Sequence, residues 1–388
     1  MSESASNKMS ATQQNSLVRD MIFASAKPIS QKIATRSVAG PVTTDNNVLT
    51  FNPLQVGFLR RFVVVVSGTL TNTHATAGAV PSPFGADNLL TNISFNDFTG
   101  NPRHNASGRF FSAVEAAKNR RIPGAALVSD GASVSGYGSN VASNVIPASL
   151  AAGASGTVRR VFEIPIMQTM GKTMTGGMWL GVNNQSTLLQ LTLSPTAFVA
   201  AGDPLRAIMT GASGTLTNVT IEVYQDYWND VPYDKTRMPI LPLQDIANAY
   251  MISENNSGIS FATGQMGSWN YPTFSSVLST VATFWNGSSF APGTDIDEIS
   301  LRVSNYSIIK QASPYRLSRD VRNLIGADLP LGMSGIFTRM HPLNVNQYPS
   351  LQLTLTPNTV ADGAYALIGT EFVRQVQLLA SASGTGGS

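Results

Sequence analysis

Leu189-Gln-Leu-Thr-Leu-Ser-Pro195 recurs as Leu351-Gln-Leu-Thr-Leu-Thr-Pro357, 162 positions downstream. Leucine at every second position, with polar residues between and a proline stop, describes a strand with one buried face. A second match lies upstream of each copy. Gly85-Ala-Asp87 leads into an apolar stretch from Leu89 to Phe95, and Gly293-Thr-Asp295 leads into Ile299 to Val303, 208 positions apart. The two matches keep the same order, so the chain reads as two copies of one β unit. The offset falls from 208 to 162, which gives the first copy about 46 extra residues within 96–188. That stretch is rich in Gly, Ala and Ser and suits a long protruding loop.

Working outward, Val219, Ile221 and Val223 alternate with polar residues in the same way, while Phe62–Val66 and Val277–Phe284 are denser and are expected to be covered on both faces. Three short helices are expected. One carries Leu243, Ile246, Ala247, Tyr250 and Met251, and another Phe110, Phe111, Val114 and Ala117 behind Ser107. The third carries Leu317, Val321, Leu324 and Ile325, opened by Ser313-Pro314 and stopped by Gly326. Pro232, Pro239 and Pro242 make a stiff link between the copies. About eight strands per copy suit a jelly roll. The expected fold is all-β, a double jelly roll with a few short helices and flexible termini. Residues 1–44 form an N-terminal arm, disordered over 1–16 and weakly helical over 17–35 up to Pro28. Residues 45–232 form the first roll with its loop at about 96–188, 233–378 the second, and 379–388 a flexible tail.

Only 12% of the 388 residues are charged, against about 25% in a typical soluble domain. Such a chain usually buries much of its outer surface against partners. The absence of Cys excludes disulfides, thiolate metal sites and Cys nucleophiles. Lys8, Arg19, Lys27, Lys32 and Arg36, against Glu3 and Asp20, place the whole formal charge of +3 in residues 1–36. The neutral remainder is not the basic face of a nucleic-acid-binding domain, so no sequence-specific nucleic acid is expected. The arm suits phosphates, on lipid or on nucleic acid, and its five basic residues are the expected membrane- or partner-contacting positions. No apolar run approaches the ~20 residues of a membrane span, and the polar N-terminus shows no signal peptide.

The search for chemistry yields no catalytic, metal or cofactor-binding residues. No Gly-x-Ser-x-Gly elbow or phosphate loop is present. His74, His104 and His341 read as surface or turn residues. Asp295-Ile-Asp297-Glu298 lacks calcium-loop spacing and reads as a turn entering a strand. Pro232 keeps Asp226, Asp230 and Asp234 from aligning on a helix. Arg60-Arg61, Arg120-Arg121 and Arg159-Arg160 read as solvated edge or loop charge rather than as bridges to neighbouring subunits.

Thr73-His-Ala-Thr76, Phe84-Gly-Ala-Asp-Asn-Leu89, Ile240-Leu-Pro-Leu243 and the long block Ser279-Thr-Val-Ala-Thr-Phe-Trp-Asn-Gly-Ser-Ser-Phe-Ala-Pro-Gly-Thr-Asp-Ile296 resemble the major capsid protein of tectiviruses. These are tailless icosahedral bacteriophages with a membrane beneath the shell. The resemblance covers about residues 45–378 and is weak over 100–185. It implies two eight-stranded jelly rolls, and a homotrimer of pseudo-hexagonal outline. It also implies neighbouring capsomers, vertex (penton) and minor capsid proteins as partners, and an N-terminal region facing the internal membrane. The expectation is a non-enzymatic structural protein of the virion capsid, made in the host cytoplasm. The alternative is a β-rich receptor- or carbohydrate-binding spike. Deleting residues 1–36 is expected to leave a folded trimer with weakened lipid association.

Overall fold

The computed structural model describes residues 9–119, 144–168, 174–181, 186–199, 205–211, 213–255, 258–261, 265–273, 275–286, 295–303, 307–326, 329, 332–338, 341–348, 350–358 and 364–375. Among the described residues, eight strands of four or more residues come first: β1 (Lys27–Val38), β2 (Val48–Phe51), β3 (Phe58–Asn72), β4 (Leu90–Asn96), β5 (Pro102–Ala106), β6 (Ser155–Pro165), β7 (Leu188–Leu193) and β8 (Gly214–Asn229). Eight more follow: β9 (Asn248–Glu254), β10 (Gly267–Asn270), β11 (Ser275–Trp285), β12 (Ile296–Val303), β13 (Ser307–Ala312), β14 (Met333–Phe337), β15 (Leu351–Pro357) and β16 (Tyr365–Gln375).

In the first set the sheets run β1-β8-β3-β6 and β2-β7-β4-β5; in the second they run β9-β16-β11-β14 and β10-β15-β12-β13. Each strand therefore corresponds to the one eight positions later. This antiparallel strand order, with two four-stranded sheets face to face, is a jelly roll, and the chain is a double jelly roll. The repeat read from the sequence is the same strand pair in each roll. Leu191 of β7 lies opposite Ile93 of β4, and Leu353 of β15 opposite Leu301 of β12.

The rolls are not hinged. β5 and β9 pair in parallel, His104 with Ile252 and Asn105 with Ser253, joining one sheet of each roll into a continuous sheet. A helix marks the same connection in both rolls. α2 (Gly108–Asn119) follows β5, and α4 (Pro314–Ile325) follows β13. Gly369 of β16 has no side chain because α2 lies on it: a Cβ there would sit 2.4 Å from the Phe110 ring. α4 has the expected punctuation, with Ser313 Oγ accepting from Arg316 N and Gly326 left-handed at φ 77°.

Other expectations require correction. Residues 1–16 are not wholly irregular. α1 (Ala11–Ser25) starts at a capping box in which Ser10 and Gln13 satisfy each other's backbone N–H groups. Pro28 ends the helical stripe because the chain has already become β1. β1 pairs with β8 from Lys27–Asn229 to Val38–Val219. The boundary expected at residue 44 thus falls inside the first roll, which begins at β1. The expected loop over 96–188 contains β5, α2 and β6. The extra length of the first copy falls mainly between α2 and β6, where residues 120–143, including Arg120-Arg121 and Gly136-Tyr-Gly138, lie outside the described residues. The tail 379–388 and Gly293-Thr294 also lie outside them. The helix expected to reach Met251 is the single turn α3 (Leu243–Ile246), because Tyr250 and Ile252 are buried as strand residues of β9. Val277–Phe284 is buried on both faces as expected, whereas Phe62, Val64 and Val66 are buried and Val63 and Val65 are not.

A truncation follows. Deleting 1–36 removes most of β1 and strips the partner from the edge of β8. The expected outcome is an insoluble chain, whereas deleting 1–9 leaves a soluble protein with unchanged melting. Sedimentation of expressed protein and circular dichroism decide it. A cooperative, wild-type transition in the chain lacking 1–36 would refute the assignment.

Candidate assembly surfaces

The five basic positions singled out in the sequence have different fates. Lys8 lies outside the described residues. Arg19 of α1 grips Asp245 of α3 with two bonds, Nε to Oδ2 at 2.6 Å and Nη2 to Oδ1 at 3.3 Å. The Asp245 side chain is only 4% exposed and also accepts from Met174 N at 3.1 Å. A buried carboxylate held this way fixes α1 to the link between the rolls. Lys27 pairs with Asp230 at 3.0 Å in solvent. Lys32 pairs with Glu222 at 2.7 Å and lies over the Tyr224 ring. Its ammonium and the Tyr224 hydroxyl hold the Glu222 carboxyl below its usual range. Arg36 is exposed on β1. β1 brings Lys27, Lys32 and Arg36 onto one strand at the open edge of its sheet, while Arg19 turns inward.

Beside α1 an apolar surface faces out. Ile22 is fully buried among Phe58, Met167, Met174, Trp228 and Val231. Phe23 meets Trp228 edge to face at 5.2 Å yet stays 39% exposed, and Leu17 and Met21 are exposed too. The link between the rolls continues this surface. Tyr233 and Pro239 bridge, and Asp234 Oδ1 accepts from Thr236 N at 2.8 Å, Thr236 Oγ1 at 2.6 Å and Met238 N at 2.9 Å. The Thr236 hydroxyl and the Met238 N–H lower the Asp234 carboxyl pKa. The result is a preformed loop whose tip carries exposed Lys235 and Arg237 between Tyr233 at 55% and Met238 at 61% exposure. Leu243, just beyond, is also exposed. The sequence reading saw this segment only as a proline-stiffened link. The signal it offered was a Tyr and a Met flanking two cations between prolines.

Arg60, Arg61 and Arg160 are not solvated charge, and Arg120-Arg121 lies outside the described residues. Arg61 bridges Asp226 at 2.6 Å and Glu163 at 2.9 Å, and Arg60 lies over Trp228 at 4.4 Å. Arg160 is buried against Asp87, Asn144 and Ser112. The residues are spent inside the fold because a pleated strand sends one member of each adjacent pair to either face. His74 is a turn residue, its Nδ1 accepting from Ala77 N at 2.8 Å, and His341 is exposed. His104 is neither; it is fully buried in the seam between the rolls. Glu298 is occupied by Arg302 and Gln311. Among the described residues no three His, Asp or Glu side chains converge, and no helix is long and apolar enough to cross a membrane.

Comparison with known proteins follows this architecture. Residues 3–231 match the family described as P3 major capsid protein N-terminal, and residues 255–385 match P3 major capsid protein C-terminal. The chain is 30% identical over 379 residues to major capsid protein P3 of Enterobacteria phage PRD1, covering 95% of this chain and 93% of that protein. Among solved structures, the crystal structure of the STIV MCP superposes with a TM-score of 0.64 at 12% identity, covering 91% of this chain and 99% of the other. A chain from the atomic structure of Sulfolobus Turreted Icosahedral Virus gives 0.60 at 12% identity, covering 90% and 91%. At those identities the likeness shows the fold.

Proposed function

This chain belongs to the P3 major capsid protein family, and from that premise we propose that it trimerises into pseudo-hexagonal capsomers that close an icosahedral shell over an internal membrane. It is a structural protein of a bacteriophage capsid, and it assembles with other capsid subunits. The spike reading falls with the family assignment. The finer reading has the rolls of three copies as the six corners of the capsomer, contacts to penton and minor capsid proteins at the vertices, synthesis in the host cytoplasm and no catalysis. The observation that carries the trimer is the pairing of β5 with β9, which fixes two near-equivalent rolls in one rigid body. Three such bodies give six similar corners. A sparsely charged exterior limits what burying those contacts costs. Light scattering at micromolar concentration should give three times the chain mass, and a stable monomer would overturn the reading.

The lipid-facing end is proposed to be the one that holds α1 and the Tyr233–Pro239 loop. Of the basic positions expected there, Lys27, Lys32 and Arg36 stand along β1, with Lys8 before α1. Arg19 serves as the tether of α1. Lys235 and Arg237, flanked by Tyr233 and Met238, are the addition that the fold brings to this end. An aromatic and a thioether beside two cations suit the headgroup boundary, where each cation contributes about 1 kcal/mol on anionic lipid. Replacing Lys235 and Arg237 by Ser is expected to lower binding to anionic vesicles at least about tenfold with melting unchanged. Flotation equal to wild type would count against this orientation.

A further inference from the structure

We infer that β13 of one copy adds to β1 of the next, as β5 adds to β9 within the chain, so that a strand seam joins neighbouring copies. This rests on the trimer proposed above and names the surfaces that meet in it. Strands eight apart are equivalent, so β13 is the counterpart of β5, and β1 that of β9. Within the chain β5 and β9 are joined in parallel. β13 and β1 each end a sheet and bond no further strand among the described residues. Such an edge presents a row of N–H and C=O groups that another strand can complete. β1 offers an edge of 12 residues and β13 one of 6. Both faces of β13 are apolar as well as open, since Ile308 is 50% and its neighbour Ile309 39% exposed.

The layer beside each seam differs in the same way. Within the chain, α2 follows β5 and lies on the outer face of the sheet β9-β16-β11-β14. Phe110 meets Gly369 there, and Leu278, Val281 and Leu367 join the same core cluster. Residues 109–114 of α2 are all buried as a result. On the outer face of the equivalent sheet, β1-β8-β3-β6, Val63, Val65 and Val161 are only half-buried, in line with Tyr224 and Glu222. α4 follows β13 and has Leu317 and Val321 buried, but Tyr315, Arg316 and Arg319 exposed. Seating β13 on β1 of the next copy carries α4 over that half-buried face, so one contact covers both. Lys32 and Lys310, which the seam brings near each other, are already neutralised by Glu222 at 2.7 Å and Asp320 at 3.2 Å. The contact is head to tail, and such a contact closes into a ring when its rotation divides a full turn. Three copies then leave no β1 or β13 edge open.

Equivalent positions set the register. Ser107 and Ser313 stand just before α2 and α4, so Gln311 matches Asn105. β1 and β9 begin opposite Asn229 and Gln375, the ends of β8 and β16, so Lys32 matches Ser253. Asn105 lies opposite Ser253, which puts Gln311 opposite Lys32 of the next copy. The chain has no Cys, so introduced thiols are unique. The full-length chain carrying Lys32→Cys and Gln311→Cys together, treated with a short bismaleimide, should run as covalent dimers and trimers in denaturing electrophoresis. Either substitution alone should stay at the mass of one chain. Asn105→Cys with Ser253→Cys is the positive control and should couple within one chain without adding mass. Should the first pair not fold, Ser30→Cys with Ile309→Cys probes the same seam two residues away. A trimer in light scattering whose paired variants stay uncoupled, while the control couples, overturns the seam and leaves the trimer reading intact; a monomer overturns both. Single variants that couple as fully as the pair would mean that like strands meet, which also overturns the seam.

Discussion

Lowering the pH from 6.5 to about 3 should remove about 4–5 kcal/mol of stability through His104 alone. Its imidazole is fully buried between β5 and β9, within 6.2 Å of the ring centres of Phe95, Phe111 and Tyr250. Nε2 lies 2.7 Å from Pro165 O, and Nδ1 accepts from Ile252 N at 3.2 Å. A neutral ring protonated at Nε2 satisfies both bonds. An imidazolium would point a second N–H at that of Ile252. Burial pushes the pKa down to about 3, the Pro165 carbonyl opposes this, and the Arg103 and Lys118 cations add to it. The folded pKa is therefore below the unfolded one. Above pH 6.5 the ring is neutral in both states and the stability is fully present. As pH falls, the unfolded chain takes a proton that the folded chain refuses, until about pH 3. Glu115, whose carboxyl is pushed up by burial, acts in the opposite sense. Urea unfolding across this range isolates His104 when wild type is compared with His104→Gln, which can donate and accept but not titrate. The wild-type curve should fall more steeply by about 1.4 kcal/mol per pH unit. Parallel curves would refute the assignment. Should the variant not fold, proton uptake on wild-type unfolding at pH 4.5 gives the same answer, with about one proton assigned to this ring.

His104 also marks where sequence reading stops. The rolls were legible because period-two alternation and the Leu-Gln-Leu-Thr-Leu repeat are local signals, and β7 and β15 occupy equivalent places. α4 was legible because Ser313, Pro314 and Gly326 are local punctuation. β1 was not, since Lys27, Gln31, Lys32 and Arg36 give it little apolar alternation. Its pairing energy comes from β8, nearly 190 residues away. The burial of His104 and Arg160 depends on strands that are distant in sequence and adjacent in space. The basic positions divide in the same way. Net charge located the arm, but only the fold could show that Arg19 is consumed by Asp245 and that Lys235 and Arg237 stand exposed on the link between the rolls.

Arg160→Met should cost about 3–5 kcal/mol, while Arg159→Met next to it should change stability by less than about 0.5 kcal/mol. Adjacent residues on β6 face opposite ways, and Arg160 points in with a side chain 3% exposed. Nε meets Asp87 Oδ1 at 2.6 Å, Nη1 donates to Asn144 Oδ1 at 3.0 Å and Val161 O at 2.8 Å, and Nη2 donates to Ser112 Oγ at 2.8 Å. One guanidinium thus ties β6 to α2 and to the turn carrying Asp87, the acidic residue of the Gly-x-Asp repeat. Met fills much of the volume and leaves that carboxylate without its cation. The loss comes chiefly from the stranded charge, so Arg160→Met combined with Asp87→Leu should recover part of it. Chemical denaturation of the four proteins at pH 7 separates the terms. Equal losses in Arg159→Met and Arg160→Met would mean that the pair acts as surface charge. Failure of the double variant to recover would place the cost in packing around β6 rather than in the buried ion pair.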